Sequence, residues 1–436
     1  MRFILDLLYL LLAIAISPMV IYRVIRHKRY RTGWSQRFGK VIRKSPDKKC
    51  IWLHAVSVGE VNAAKTIIRE LQTKFRDFEI VISTTTDTGF ARASALFGKN
   101  LRVFYFPLDF SWIMRRAFRK ICPALCLLME LEVWPNFVRI AQQSNTPVVV
   151  VNGRISDKSF SRYRNVKPFT RKIFGKVSLV LAQADEYAQR FKELGCPSER
   201  VIVTGSLKYD TAQITNKVEG ADALAVQLNI KDERLWVAGA TGNDEEKILL
   251  DVYQKLKKQK QFNDLRLAIV PRKPERFDEV AELIKQTGLE FIRYSQVKNQ
   301  AAGKSSIEYR ASSIETIILG DTMGDLRKFY SLATIIFVGR SLVPMGGSDM
   351  MEAAALGKCT IFGPHAFNFR QTVDALLKDQ GAIMVNDKEE LLETMKKCLI
   401  EPDFAQRTAN NGQEVIRKNQ GATAKTIEQI AALLNG

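Results

Sequence analysis

Residues 51–75 read IWLHAVSVGEVNAAKTIIRELQTKF. The opening run is apolar without a break, and from Val61 apolar side chains recur at spacings of three and four, which predicts a buried strand turning sharply into a helix. Continuous apolar strands with helical crossovers belong to parallel sheets covered on both faces. The unit recurs along the chain at EIVIST (79–84), RVFYF (102–106), ALCLLM (124–129), PVVVVN (147–152), SLVLAQ (178–183) and RVIVTG (200–205). After Asp210 it lapses into TAQITNKVEGADAL, then restarts with WVAGA (236–240), LRLAIV (265–270), TIILG (316–320), TIIFVG (334–339), CTIFG (359–363) and AIMVN (382–386). A chain of 436 residues exceeds one hydrophobic core. Two doubly wound, Rossmann-like α/β domains are expected, residues 25–212 and 213–436, with ligands in the cleft at the carboxyl ends of their strands.

Residues 3–22, FILDLLYLLLAIAISPMVIY, carry one charge, Asp6. As a helix they reach ~30 Å, enough for a bilayer's hydrocarbon. From Arg23 to Lys44 follow nine Lys or Arg and no acid, which keeps that flank in the cytoplasm. Residues 1–24 are therefore expected to be a membrane anchor, either spanning or lying in the interface. The net charge of +20, from 66 Lys plus Arg against 46 Asp plus Glu, calls for anionic partners. Nucleic acid is disfavoured, since part of the charge flanks the apolar run and no recognition motif is present. Six scattered cysteines point to a reducing compartment, and three histidines leave few ligands for a metal, so none is expected.

The chemistry-bearing segments follow the strands. In His54-Ala-Val-Ser57-Val-Gly59-Glu60 the carboxylate of Glu60 opens a helix, where it can serve as a general base; the Ser57/Glu60 spacing also satisfies a capping box. In ThrThrThrAspThrGly (84–89), hydroxyls and free amides suit phosphate or sugar, and Asp87 suits an N-cap. Met129-Glu130-Leu131-Glu132-Val133-Trp134-Pro135-Asn136 offers paired carboxylates and an indole for a sugar face, with Pro135 as a helix start. Gly205-Ser-Leu-Lys208-Tyr-Asp210 supplies a cation. In the second half, Arg272 of Pro271-Arg-Lys-Pro-Glu-Arg276-Phe suits a phosphate, Gly320-Asp-Thr-Met-Gly324-Asp325 leaves backbone open to a nucleobase, and Gly346-Gly-Ser-Asp-Met-Met-Glu352 opens a helix whose Glu352 can reach ribose hydroxyls.

In order and spacing, HAVSVGE, MELEVWPN, NGRISDKS (152–159), GSLKYD, PRKPERF, GDTMGDL, EAAALGK and FGPHAFNF (362–369) resemble the Kdo (3-deoxy-D-manno-octulosonic acid) transferases of lipopolysaccharide assembly. The resemblance implies the two-domain GT-B glycosyltransferase fold, an acceptor-binding N-terminal domain and a C-terminal domain for the CMP-Kdo donor. It further implies a lipid A precursor as acceptor, no cofactor, and a place at the cytoplasmic face of the inner membrane, against an anionic surface. Residue by residue, Glu60 matches the family's general base, and Glu130 and Lys208 match positions that stabilise the transition state. Pro271, Arg272, Met323, Gly324, Asp325, Asp349, Met350, Met351 and Glu352 match the CMP-binding segments. The chain departs from the family at Lys273, usually His, at Ser348-Asp349 in a GGHN-like loop, and at Ala240-Thr-Gly242 in an STH-like turn. The other readings are a related transferase or nucleotide-sugar epimerase with a different donor, and a non-catalytic binder of acidic glycolipids.

Overall fold

The structure is a computed structural model and describes residues 2–27, 32–301 and 313–435; Lys28, Arg29 and Arg31 of the basic run lie outside the described residues. The chain forms two compact units, one holding the chain up to Thr211 together with its return from Asn419, the other Ala212–Lys418.

The first unit has strands β1 (Lys49–His54), β2 (Phe78–Thr84), β3 (Arg102–Tyr105), β4 (Pro123–Met129), β5 (Val148–Gly153), β6 (Leu179–Ala182) and β7 (Val201–Val203). They lie in the order β3-β2-β1-β4-β5-β6-β7, all parallel. β1 is buried on both faces: Ile51 and Leu53 join one apolar cluster with the helix Val58–Lys74, while Cys50 and Trp52 join another with Phe104, Phe118 and Phe137. The strand order reverses between β1 and β4, the point at which doubly wound sheets place their ligand crevice.

The second unit has β8 (Arg234–Thr241), β9 (Leu265–Pro271), β10 (Phe291–Arg293), β11 (Ile317–Leu319), β12 (Ile335–Val338), β13 (Cys359–Phe362) and β14 (Ile383–Met384). Their order is β10-β11-β9-β8-β12-β13-β14, again parallel, with the reversal between β8 and β12. β10 has no counterpart in the sequence reading; its three residues are too few to display a pattern. Under β8, Gly239 gives way to Tyr330, and a Cβ at that position would overlap the phenol ring. Gly239→Ala is therefore expected to lower the melting temperature by roughly 5 °C, an overpacking cost of ~1–3 kcal/mol, measured by thermal denaturation.

The boundary near residue 212 that the sequence reading drew is crossed once more at the end of the chain, where the helix Ala422–Asn435 packs on the first unit instead of remaining in the second. Ala422, Ile427 and Ile430 enter the cluster of Ile67, Ile68 and Leu71. Asp210 fixes the helix start, accepting from the amides of Gly421 (2.7 Å) and Thr423, and Thr66 bonds Thr423 at 2.9 Å.

The anchor expected over residues 1–24 falls on the helix Arg2–His27. Among the described residues, no helix is long and apolar enough to cross a membrane.

Candidate active site

The reversal between β1 and β4 gathers the carboxylates. After β1, the Ser57 side chain caps the helix Val58–Lys74 by accepting from the Glu60 amide at 3.3 Å. The Glu60 carboxylate turns back, accepting from the Val56 amide and the Ser57 hydroxyl, each at 2.9 Å. Glu60 is 9% exposed. Burial lifts its carboxyl to about 7, the carboxylates of Glu130 and Glu132 push the same way, and the bonds from Val56 and Ser57 hold it back. It thus caps and remains a titratable group in the neutral range.

After β4, Glu130 adopts a left-handed backbone (φ 54°) while its amide stays bonded to Val151 O at 2.9 Å. A non-glycine residue in this region stores strain and marks a constrained junction. Two residues on, the Glu132 carboxylate accepts from the Trp134 indole at 2.9 Å, and Pro135 begins the next helix. Glu132 Oε2 lies 4.0 Å from Nε2 of His54, whose ring is wholly buried and stacked on Phe106 at 3.8 Å between centroids. Burial pulls His54 down to about 3, so the imidazole is neutral and the contact with Glu132 is not an ion pair. Its Nδ1 meets the Ser83 hydroxyl at 3.0 Å, and Nε2 has no hydrogen-bond partner among the described residues.

Lys208 lies in the short helix Leu207–Thr211, held to the end of β5 by Asn152, whose Oδ1 accepts from the Leu207 amide at 3.0 Å. Asn152 is buried with a left-handed backbone, φ 56°. Neither Asn152 nor His54 stands out by local pattern, although both lie inside the motifs above; a lone Asn at a strand end is the available signal for a left-handed turn. In ThrThrThrAspThrGly the cap is Thr86, whose side chain accepts from Gly89 N, and not Asp87 as expected. Asp87 instead accepts from the Tyr105 hydroxyl at 3.1 Å. Thr86 also donates to Val56 O at 2.9 Å, bracing the Glu60 loop.

In the second unit, Arg272 is exposed just past β9, with Pro271 the buried last residue of that strand. Arg276 of the same motif is structural, paired with buried Glu246 at 2.6 Å and with Glu279 at 2.8 Å. Asp349 accepts from the Met351 amide at 2.9 Å. Met350 and Met351 are 0% and 3% exposed, so only their main chain remains for a ligand. Burial raises the Glu352 carboxyl, Asp349 adds to this, and Arg327 and Arg272 oppose it, which puts these groups in one electrostatic cluster. Beneath it lies the buried Tyr330 hydroxyl, without a hydrogen-bond partner among the described residues. Met323 is 65% exposed and Gly324 has open space where a Cβ would stand, so this turn offers bare backbone. Asp325 is internally satisfied: burial raises it, but bonds from Lys298 (2.7 Å), Lys328 (2.8 Å) and Thr322 (2.7 Å) win and hold it at about 2. Ser348 donates to Ala240 O at 3.3 Å, so two of the positions at which the chain departs from the motifs it resembles pack on each other.

The family model described as 3-deoxy-D-manno-octulosonic-acid transferase (kdotransferase) matches residues 32–211. The 3-deoxy-D-manno-octulosonic acid transferase of Haemophilus influenzae is 34% identical over 412 residues, 94% of this chain and 93% of that protein. The one from Bordetella pertussis is 28% identical, covering 97% and 98%. Among solved structures, a glycosyltransferase from Rickettsia africae ESF-5 superposes over 89% of this chain and 99% of its own with a TM-score of 0.55 at 13% identity, a likeness of fold. With a relative this similar along nearly the whole of both chains, the protein belongs to the 3-deoxy-D-manno-octulosonic acid transferases.

Proposed function

We propose that the protein moves Kdo from CMP-Kdo to a lipid A precursor, with inversion, at the cytoplasmic face of the inner membrane. The match to a Kdo transferase over 94% of the chain carries this reading. In the reaction the acceptor hydroxyl gives its proton to the Glu60 carboxylate as its oxygen attacks C2 of Kdo, and the bond from C2 to the phosphate oxygen breaks to release CMP. Lys208 and Glu130 stabilise the charge that develops at the sugar, and Arg272 stabilises the departing phosphate. Met323-Gly324-Asp325 and the segment Asp349 to Glu352 hold the nucleotide, through backbone at Gly324 and through side chains at Asp349 and Glu352. The exposed leucines of the N-terminal helix support attachment to a membrane, and the basic residues after it support an anionic one.

A different nucleotide donor is the second reading, motivated by Lys273, Ser348 and Asp349, where the resembling family usually has other residues. The purified full-length protein, given CMP-Kdo and a tetraacylated acceptor, is expected to yield a Kdo-bearing product detected by mass spectrometry. CMP at 100 times its dissociation constant is expected to stabilise the protein by ~2.7 kcal/mol. A melting shift with UDP and none with CMP would overturn the donor assignment.

A further inference from the structure

Near its start the helix Arg2–His27 meets the first unit through the polar groups of Asp6 and Tyr9, while apolar side chains beside them face outward. Asp6 accepts from the Ser111 amide at 2.9 Å, from the Ser111 hydroxyl, and from Asn136 Nδ2 at 3.1 Å. One turn on, the Tyr9 hydroxyl donates to Asp109 at 3.0 Å and its ring meets Phe110 edge-on. Leu7, Leu8, Leu11, Leu12 and Ile14 are each more than half exposed. A helix on a water-soluble surface has the opposite polarity, with its apolar stripe turned inward. An outward apolar face of this size needs a cover.

The position of Asp6 fixes the orientation. If the helix crossed a bilayer with the basic run on the side of the folded units, its first residues would lie ~30 Å away, beyond the hydrocarbon. Asp6 and Tyr9 instead reach the starts of the helices Ser111–Ile121 and Pro135–Gln143, and Thr32, five residues past the helix, meets the Tyr105 hydroxyl at 3.2 Å, so both helix ends lie on the side of the first unit. Next to Ser111 an aromatic ladder faces outward: Trp112, Phe38 and Trp34 are 47%, 39% and 42% exposed, with centroid spacings of 6.2 and 6.1 Å. The Arg116 guanidinium lies 5.6 Å over the Trp112 ring. Tryptophan is the side chain of the membrane interface, and arginine beside it complements anionic headgroups.

We propose that the N-terminal helix does not cross the bilayer but lies within one leaflet, clamped to the first unit by Asp6 and Tyr9, with Trp34, Phe38 and Trp112 at the level of anionic headgroups. This rests on the membrane attachment proposed above. The clamp also connects to the site, because Asp109, which receives the Tyr9 hydroxyl, caps the helix that follows the Glu130–Glu132 loop through the amides of Asn136 (2.9 Å) and Phe137 (2.7 Å).

The test places a single cysteine ahead of Met1 in full-length protein carrying Cys122→Ser, since the other five cysteines are buried. A membrane-impermeant maleimide is expected to label it in inverted membrane vesicles and to leave it unlabelled from the periplasmic side. Periplasmic labelling of protein that floats with anionic phospholipid vesicles would overturn the in-leaflet helix and leave the attachment standing. Failure to float would overturn both. Trp112→Ala is expected to weaken partitioning onto those vesicles roughly threefold or more, because interfacial binding scales with buried apolar area, whereas spanning insertion is effectively irreversible; an unchanged partition would count against the proposal.

Discussion

Glu60→Gln is expected to lower turnover by ~10²–10⁴-fold without unfolding the protein, the loss that follows when a positioned base is removed. Gln keeps the length of the side chain and one oxygen for the Val56 amide or the Ser57 hydroxyl, so the helix start survives. The wild-type rate is expected to rise with pH through about 7, because Glu60 accepts a proton only when ionised and burial has lifted its carboxyl to that value. The effect on stability has the opposite sign. A carboxyl raised in the folded state favours folding while protonated; that contribution is complete below its unfolded value of ~4.3 and is lost as pH rises through about 7. At pH 8 the variant should therefore melt no lower than wild type. Turnover within tenfold of wild type, or a rate profile flat across pH 6–8, would remove Glu60 from the role of base.

Glu245→Ala is expected to cost ~3–5 kcal/mol and to lower the melting temperature by roughly 10 °C. The Glu245 carboxylate is 0% exposed and accepts from four backbone amides: Gly242 at 3.0 Å, Ser341 at 2.7 Å, Leu342 at 2.9 Å, and Arg340. It joins the end of β8 to the loop after β12, the two sides of the second unit's strand reversal. Alanine leaves those donors buried and unpaired at ~1–3 kcal/mol each, less whatever water and relaxation recover. Thermal denaturation gives the reading, and a change under 2 °C would show that the loop finds other partners. The segment Asp349 to Glu352, proposed above to hold the nucleotide, follows the loop that this bridge fixes, so weaker donor binding is expected to accompany the stability loss.

The strand-and-helix alternation made both sheets legible, because parallel strands buried on two faces are written as unbroken apolar runs. Glu60, Glu130 and Lys208 were legible as candidates, polar residues in the segments that follow strands. Their company was not. The capping of Leu207 by Asn152 spans 55 residues and the contact of His54 with Ser83 spans 29, and no local pattern announces pairings across that separation. Glu245 stands in a polar turn that reads as an ordinary helix start, and its importance comes from a loop nearly 100 residues away. Met350 and Met351 illustrate the converse: matched to a binding segment, they are packed into the core. The motif fixes where the backbone turns, while the side chains answer to packing.

The return of the last helix to the first unit has a consequence for how the protein is made. The cluster containing Ile67 and Ile430 cannot close until the ribosome has synthesised the whole second unit, ~200 residues, and then the final helix. At ~5–20 residues per second that interval is of order 10–40 s, during which an apolar face on the helix Val58–Lys74 waits uncovered. In a cell this nascent intermediate is the form most exposed to chaperones and proteases, and a chain terminated before Asn419 would retain that uncovered face permanently.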